Sequence, residues 1–251
     1  MVVPPILSHM RPPHETPLMA TLTLGRKVLV AKNRLDLAEK LYKIDVHVDS
    51  RSQGRTTDQV ERYAVVLLFQ HLIKADILSF PLELQKSERP DFILRTSESN
   101  IGIEHTEAVS EKVAYSDSLR EQGYGPEVHH PIQTCLGDKA PKKKEMIREN
   151  IANSPGLPIM GNASDEMWAD TILHFTKKKI VSRGKPEYQK FPVSWLLIYD
   201  NWELPSVCID QAVTKFQQHC LGNSVFDEYQ RIFVVSERDA SYVERNGALV
   251  L

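Results

Sequence analysis

The chain has 251 residues, enough for one large domain that buries a full core without disulfides or structural metals. Hydrophobic residues make up 41% and charged residues 25%, an ordinary soluble composition, and a formal net charge of -2 excludes a basic field over the whole protein. Any binding of polyanions must therefore come from local clusters such as Lys142-Lys143-Lys144 with Arg148, or Lys177-Lys178-Lys179 with Arg183 and Lys185, each of which also reads as a solvated helix face. The three cysteines, Cys135, Cys208 and Cys220, are odd in number and widely spaced. They suit reduced thiols in a cytoplasmic setting better than a disulfide framework or a zinc site. No apolar run has the length of a membrane span, and no secretory leader pattern opens the chain.

In chain order, residues 1–20 read as a flexible proline-rich arm, because Pro4, Pro5, Pro12, Pro13 and Pro17 prevent regular structure. Residues 21–56 read as an N-terminal extension, with a short β-like stretch over 21–31. Asn33 or Asp36 opens a helix to about Ile44, with Leu35, Ala38, Leu41 and Tyr42 on one face. Asp45 to Asp49 alternates like an edge strand. Thr57 or Asp58 then caps a long, largely buried helix to about Ala75, with Glu61 near its start. Three strands are expected next: Phe80–Leu84, Phe92–Arg95 and a third inside Asn100–Val109. The chain reads as loop from about 116 to 142, then as a basic helix over 142–153. A helix from Asp165 to Val181 carries Trp168, Ile172, Phe175 and Lys179 on one face. A buried strand over Ser194–Tyr199, a helix over Ile209–Cys220 and a strand over Arg231–Ser236 complete the reading. A strand meander followed by alternating helices and strands implies a mixed sheet with helices on both faces.

The chemistry concentrates in Glu88-Arg89-Pro90-Asp91-Phe92-Ile93-Leu94 and Gly102-Ile103-Glu104-His105-Thr106-Glu107. A short turn joins the two strands, so Asp91 and Glu104 are expected on neighbouring strands near one end. Strand alternation puts Gly102, Glu104 and Thr106 on one face, with Ile101, Ile103 and His105 on the other. Glu107 points away from Glu104 and is expected to be solvated. Two carboxylates facing one pocket repel each other, and a divalent cation relieves that repulsion.

Pro90-Asp91 followed by Ile103-Glu104-His105-Thr106 resembles the PD-(D/E)xK nuclease superfamily. The resemblance covers about residues 57–200 and implies a restriction-endonuclease-like core, in α/β order αβββαβ, over residues 57–251. It implies that Asp91 and Glu104, with the carbonyl of His105, hold Mg²⁺ or Mn²⁺. Glu61 fits an assisting acid on the preceding helix, although an ordinary first-turn acid has the same sequence. The motif's lysine is missing: Thr106 stands two residues after Glu104. Some members carry that lysine on the following helix, where Lys179 points inward with the apolar stripe and Lys178 is next. The implied activity is metal-dependent phosphodiester hydrolysis, on DNA rather than RNA, by a homodimer where both strands are cut. The alternative is a non-catalytic nucleic-acid-binding or regulatory protein on the same fold, and Thr106 favours it.

Overall fold

The computed structural model describes residues 27–126, 139–152, 163–202, 204 and 206–251. The proline-rich arm, the histidine pair His129-His130, Cys135 and the loop from Ser154 to Pro158 lie outside these residues. Eight strands form one mixed sheet whose spatial order follows the chain. β1 (Lys27–Ala31), β2 (Leu82–Lys86), β3 (Phe92–Thr96) and β4 (Asn100–Ala108) form an antiparallel series, each paired with the next. β5 (Val193–Asp200) and β6 (Arg231–Val235) then continue in parallel with β4. β7 (Ala240–Glu244) and β8 (Gly247–Val250) end the sheet as an antiparallel hairpin. Parallel neighbours need long crossovers, and helices supply them. Between β4 and β5 lie α3 (Glu111–Glu121), α4 (Lys143–Ala152) and α5 (Ala163–Arg183), and between β5 and β6 lies α6 (Ile209–Gly222).

The sheet is sandwiched. On one face, α1 (Arg34–Tyr42) and α2 (Thr57–Ala75) set Leu37, Ala64, Leu68, Phe69 and Leu72 against Leu84, Leu94, Ile103, Leu197 and Phe233. On the other, α5 and α6 set Trp168, Ile172 and Phe216 against Leu196, Ile198, Ile232 and Val234. Each fully buried large side chain here contributes about 1.5–3 kcal/mol, so the two-sided core accounts for the near-unbroken apolar run of β5. Helix α2 is set by a capping box: the Thr56 hydroxyl accepts the Gln59 amide, and the Gln59 side chain accepts the Thr56 amide.

Several elements depart from the sequence reading. Residues 45–49 form no strand. The Asp45 carboxylate accepts the His47 amide at 2.9 Å, a local bond that competes with strand pairing. Helix α1 buries Leu37 and Leu41 while Leu35 and Tyr42 are exposed, so its apolar face is rotated from the expected one. The first meander strand starts at Leu82, after Pro81. Helix α3 occupies part of the expected loop. Ser110 caps it through the Val113 amide at 3.2 Å, a start signal obscured by the glycines and prolines that follow. The β7–β8 hairpin turns through only Arg245 and Asn246. The described part of the N-terminal extension is built into the sheet, because β1 pairs with β2 and α1 packs on α2.

Candidate active site

Strand register brings the two carboxylates together. β3 begins at Phe92 opposite Ile103, so Asp91 at the lip of β3 sits beside Glu104 on β4. The turn between β2 and β3 is closed by the Ser87 amide, which donates to the Asp91 carbonyl at 2.9 Å. Glu104 lies level with Leu196 of β5, whose side chain belongs to the α5–α6 core, so Glu104 faces α5. Gly102 lies on that face too. A Cβ there would come within 2.9 Å of the Phe191 ring and 3.1 Å of Pro90, so the missing side chain lets Pro90-Asp91 and the 184–191 loop close over β4.

Helix α5 delivers Lys179 between the acids. Its Nζ is 3.3 Å from Asp91 Oδ2 and 3.2 Å from Glu104 Oε2. Trp168 and Ile172, eleven and seven residues before Lys179 and so on its face of the helix, are buried and fix the helix rotation. Lys178, the other candidate, is exposed, with its ammonium 5.5 Å from the Phe175 ring centroid. It therefore does not join the carboxylate pair. Asp91 Oδ2 also accepts the His105 amide at 2.6 Å, a short charge-assisted bond that fixes the carboxylate. Amide and carbonyl of one strand residue face the same edge, so the His105 carbonyl lies on the Asp91 side of β4, beyond the end of β3.

Glu61 reaches the same end of the sheet from α2 and is buried, but its partner is the buried Lys86 of β2. Asp91, Glu104 and Glu61 therefore form a pair and a neighbour rather than one three-carboxylate cluster. The Lys86 ammonium also lies 4.7 Å from the Phe92 ring centroid.

Burial pushes the Glu104 carboxyl up to about 7, and the Asp91 charge adds to that; Lys179 opposes it. Burial likewise raises Glu61, against the hydrogen bond from Lys86. Burial works to lower Lys179, but the charges of Asp91 and Glu104 outweigh it and hold the ammonium above its ordinary value. His105 is pushed down to about 3 by burial, with Lys179 and Lys86 adding to the effect, so its imidazole is neutral.

Glu107 is not solvated. Its Oε1 accepts from Arg51 at 2.7 Å, Arg55 at 2.8 Å and Asn201 at 2.6 Å. A cleft of about 470 Å³ opens there, walled by Arg51, Arg55, Thr56, Thr57, Glu61, His105, Thr106, Glu107 and Lys179. The reading from sequence missed Lys86, Arg51, Arg55 and Tyr188. Tyr188 sits near the carboxylates: its hydroxyl is raised first by burial and next by the Glu104 charge. Lys86 was legible, since it continues the inward positions Leu82 and Leu84 at strand period. The arginines gave no local signal, because their partner Glu107 is more than fifty positions away in the chain.

Asp91, Glu104 and the His105 carbonyl give an all-oxygen donor set, which suits a hard divalent cation such as Mg²⁺ or Mn²⁺. Elsewhere among the described residues, Glu166, Asp170 and His219 bring ligand atoms within 4.8 Å of one another, but Glu166 is already bound to Lys215 at 2.8 Å. Compared with family models, curated proteins and solved structures, the chain matches none.

Proposed function

We propose that this chain is a metal-dependent nuclease that hydrolyses phosphodiester bonds, with DNA the favoured substrate, on a restriction-endonuclease-like core. The observation that carries the reading is Lys179. The position two residues after Glu104 holds threonine, yet a lysine from α5 places its ammonium 3.3 Å and 3.2 Å from the two acids. The order α2, β2–β3–β4, α5, β5 supports this reading once α3 and α4 are taken as an insertion between β4 and α5.

Asp91, Glu104 and the His105 carbonyl would hold Mg²⁺ or Mn²⁺, which when bound supplies Lewis acidity at a phosphate oxygen and lowers the pKa of a bound water. The chain's own residues do the rest. The His105 amide and the Ser87–Asp91 turn hold Asp91 in place, so little reorganisation is needed on binding. Burial of Glu104 keeps bulk water from its inner side and strengthens its charge interactions. Lys179 is a fixed cation within reach of a phosphate oxygen or an attacking water, and it stays protonated because both acids raise its pKa. Glu61 and Lys86 form a neutral pair that supports the far wall.

The test is cleavage of labelled single- and double-stranded DNA and RNA in Mg²⁺ or Mn²⁺ by the parent chain, Asp91→Ala and Glu104→Ala. Metal-dependent cutting by the parent alone is the expected result. Metal uptake and nucleic-acid binding with no cutting of any substrate would replace this reading with the non-catalytic one, which Thr106 favours. Absence of metal uptake at the carboxylate pair would remove both.

A further inference from the structure

We propose that the cleft beside the carboxylate pair is a phosphate subsite that holds a second phosphate group of the same nucleic-acid strand. This inference rests on the nuclease reading above. Arg51, in the turn before α2, and Arg55, just ahead of its first residue, converge on one oxygen of Glu107 at 2.7 Å and 2.8 Å. Glu107 is the carboxylate both guanidiniums share, and Asn201 already occupies the same oxygen, while Glu121 lies on the other side of Arg51, where it accepts the backbone amides of Arg51 and Ser52 at 3.2 Å and 2.7 Å. Both guanidiniums stand in the concave wall of the cleft with their side chains mostly buried, so a ligand there meets two poorly hydrated cations that compete for one carboxylate oxygen.

A second, independent observation points to a ligand. His105 is 5% exposed, lines this cleft, and its Nε2 has no hydrogen-bond partner. The Nε of Arg55 is likewise buried and unpartnered. Buried polar atoms are almost always satisfied, so two such nitrogens lining one cleft point to a polar ligand there. Thr57, the first residue of α2, completes the wall with the positive end of a 19-residue helix. A tetrahedral oxyanion fits this set: guanidinium forks, the imidazole in its Nε2–H tautomer and helix amides all donate to phosphate oxygens. Lys179 lines the same cleft, so the subsite is continuous with Asp91 and Glu104 and suits a neighbouring phosphate of one strand. The phosphate is either an internal diester or a terminal monophosphate.

The experiment measures fluorescence anisotropy of the full chain with labelled oligonucleotides in Ca²⁺: a linear strand with a 5′-phosphate, the same strand with a 5′-hydroxyl, and a circular strand. It compares the parent with Arg51→Gln, Arg55→Gln and Glu107→Gln. Each arginine variant is expected to bind about tenfold more weakly and to reduce the salt slope by about one. Glu107→Gln is expected to bind a few-fold more tightly, because it releases both guanidiniums. Inorganic phosphate is expected to compete with the parent and not with Arg55→Gln. Losses confined to the 5′-phosphorylated strand assign a terminal phosphate; losses on all three strands assign an internal one. Unchanged affinity and slope in both arginine variants would overturn the subsite. So would weakening in Glu107→Gln, since a purely structural ion pair predicts that sign. Metal titration and cleavage by the parent report separately on the nuclease reading. If that reading fails while the arginine variants still lose affinity, the cleft stands as a phosphate site without catalysis.

Discussion

At the residue scale, Lys179 is the decisive side chain, because it is the only cation shared by both acids among the described residues. Lys179→Met removes that cation and leaves two neighbouring carboxylates in a mostly buried site. Metal-dependent cleavage is expected to fall by about 100-fold or more, whereas Lys178→Ala, whose ammonium lies over Phe175, is expected to stay within about twofold of the parent. In EDTA at pH 8 the Lys179→Met protein is also expected to lose about 3 kcal/mol of stability in urea titration. Glu104 sets a pH dependence. Its folded pKa, about 7, lies above its ordinary value, so the folded state binds the extra proton. Stability from this group is full below the ordinary carboxylate pKa and is lost as pH rises through about 7. Asp200 acts in the same sense, because burial pushes it up to about 6 against hydrogen bonds from Trp168 and Trp202. Thermal unfolding in EDTA is therefore expected to show a falling midpoint from pH 5 to pH 7.5. Glu104→Gln is expected to flatten that slope; an unchanged slope would mean that Glu104 titrates normally.

At the element scale, the site depends on three close fits. The strand β4 must come close to Pro90 and Phe191, which only a residue without a Cβ permits at Gly102. Gly102→Ala is expected to destabilise by about 1–3 kcal/mol in chemical denaturation and to lower cleavage, by shifting Pro90-Asp91 away from Glu104. The rotation of α5 is set by its buried Trp168 and Ile172, and that rotation aims Lys179 at the acids and Lys178 at solvent. The start of α2 is set by the Thr56–Gln59 capping box, so Thr56→Ala is expected to cost about 1 kcal/mol. Most of the boundaries of the long elements were legible in the sequence, because two-sided burial leaves long apolar runs. α3 was not, because it is short, polar and only partly buried, so its periodicity is weak.

At the scale of the whole molecule, a mixed sheet places the carboxyl ends of parallel β4 and β5 next to the open lip of antiparallel β3. That junction is where acids and lysines from β2, β4, α2 and α5, Asp91 just ahead of β3, and Arg51 and Arg55 ahead of α2 meet at one sheet end. With a net charge of -2, the nucleic-acid affinity proposed above would have to come from these local cations and is expected to fall with salt, by a slope of about 0.9 per neutralised phosphate. Saturating Mg²⁺ is expected to raise the unfolding midpoint of the parent, by about 2.7 kcal/mol of stability at a hundredfold excess over Kd, and to leave Asp91→Ala unmoved. Equal midpoints with and without Mg²⁺ in the parent would remove the metal site. Among the described residues no helix is long and apolar enough to cross a membrane.

The sequence by itself determined the α/β class, the helices and strands with strong periodicity, and the nearness of Asp91 and Glu104, since a short hairpin turn joins them. It narrowed the second-site lysine to α5, because helical spacing ties Lys179 to Trp168 and Ile172. Only the tertiary structure decided that Lys179 reaches both acids, that Glu61 is taken by Lys86, and that Glu107 gathers Arg51 and Arg55. The physical reason is range. Periodicity and turn chemistry act over a few residues, whereas these ion pairs join positions 25 to 88 residues apart, and only the packing of helices on the sheet brings them within hydrogen-bonding distance.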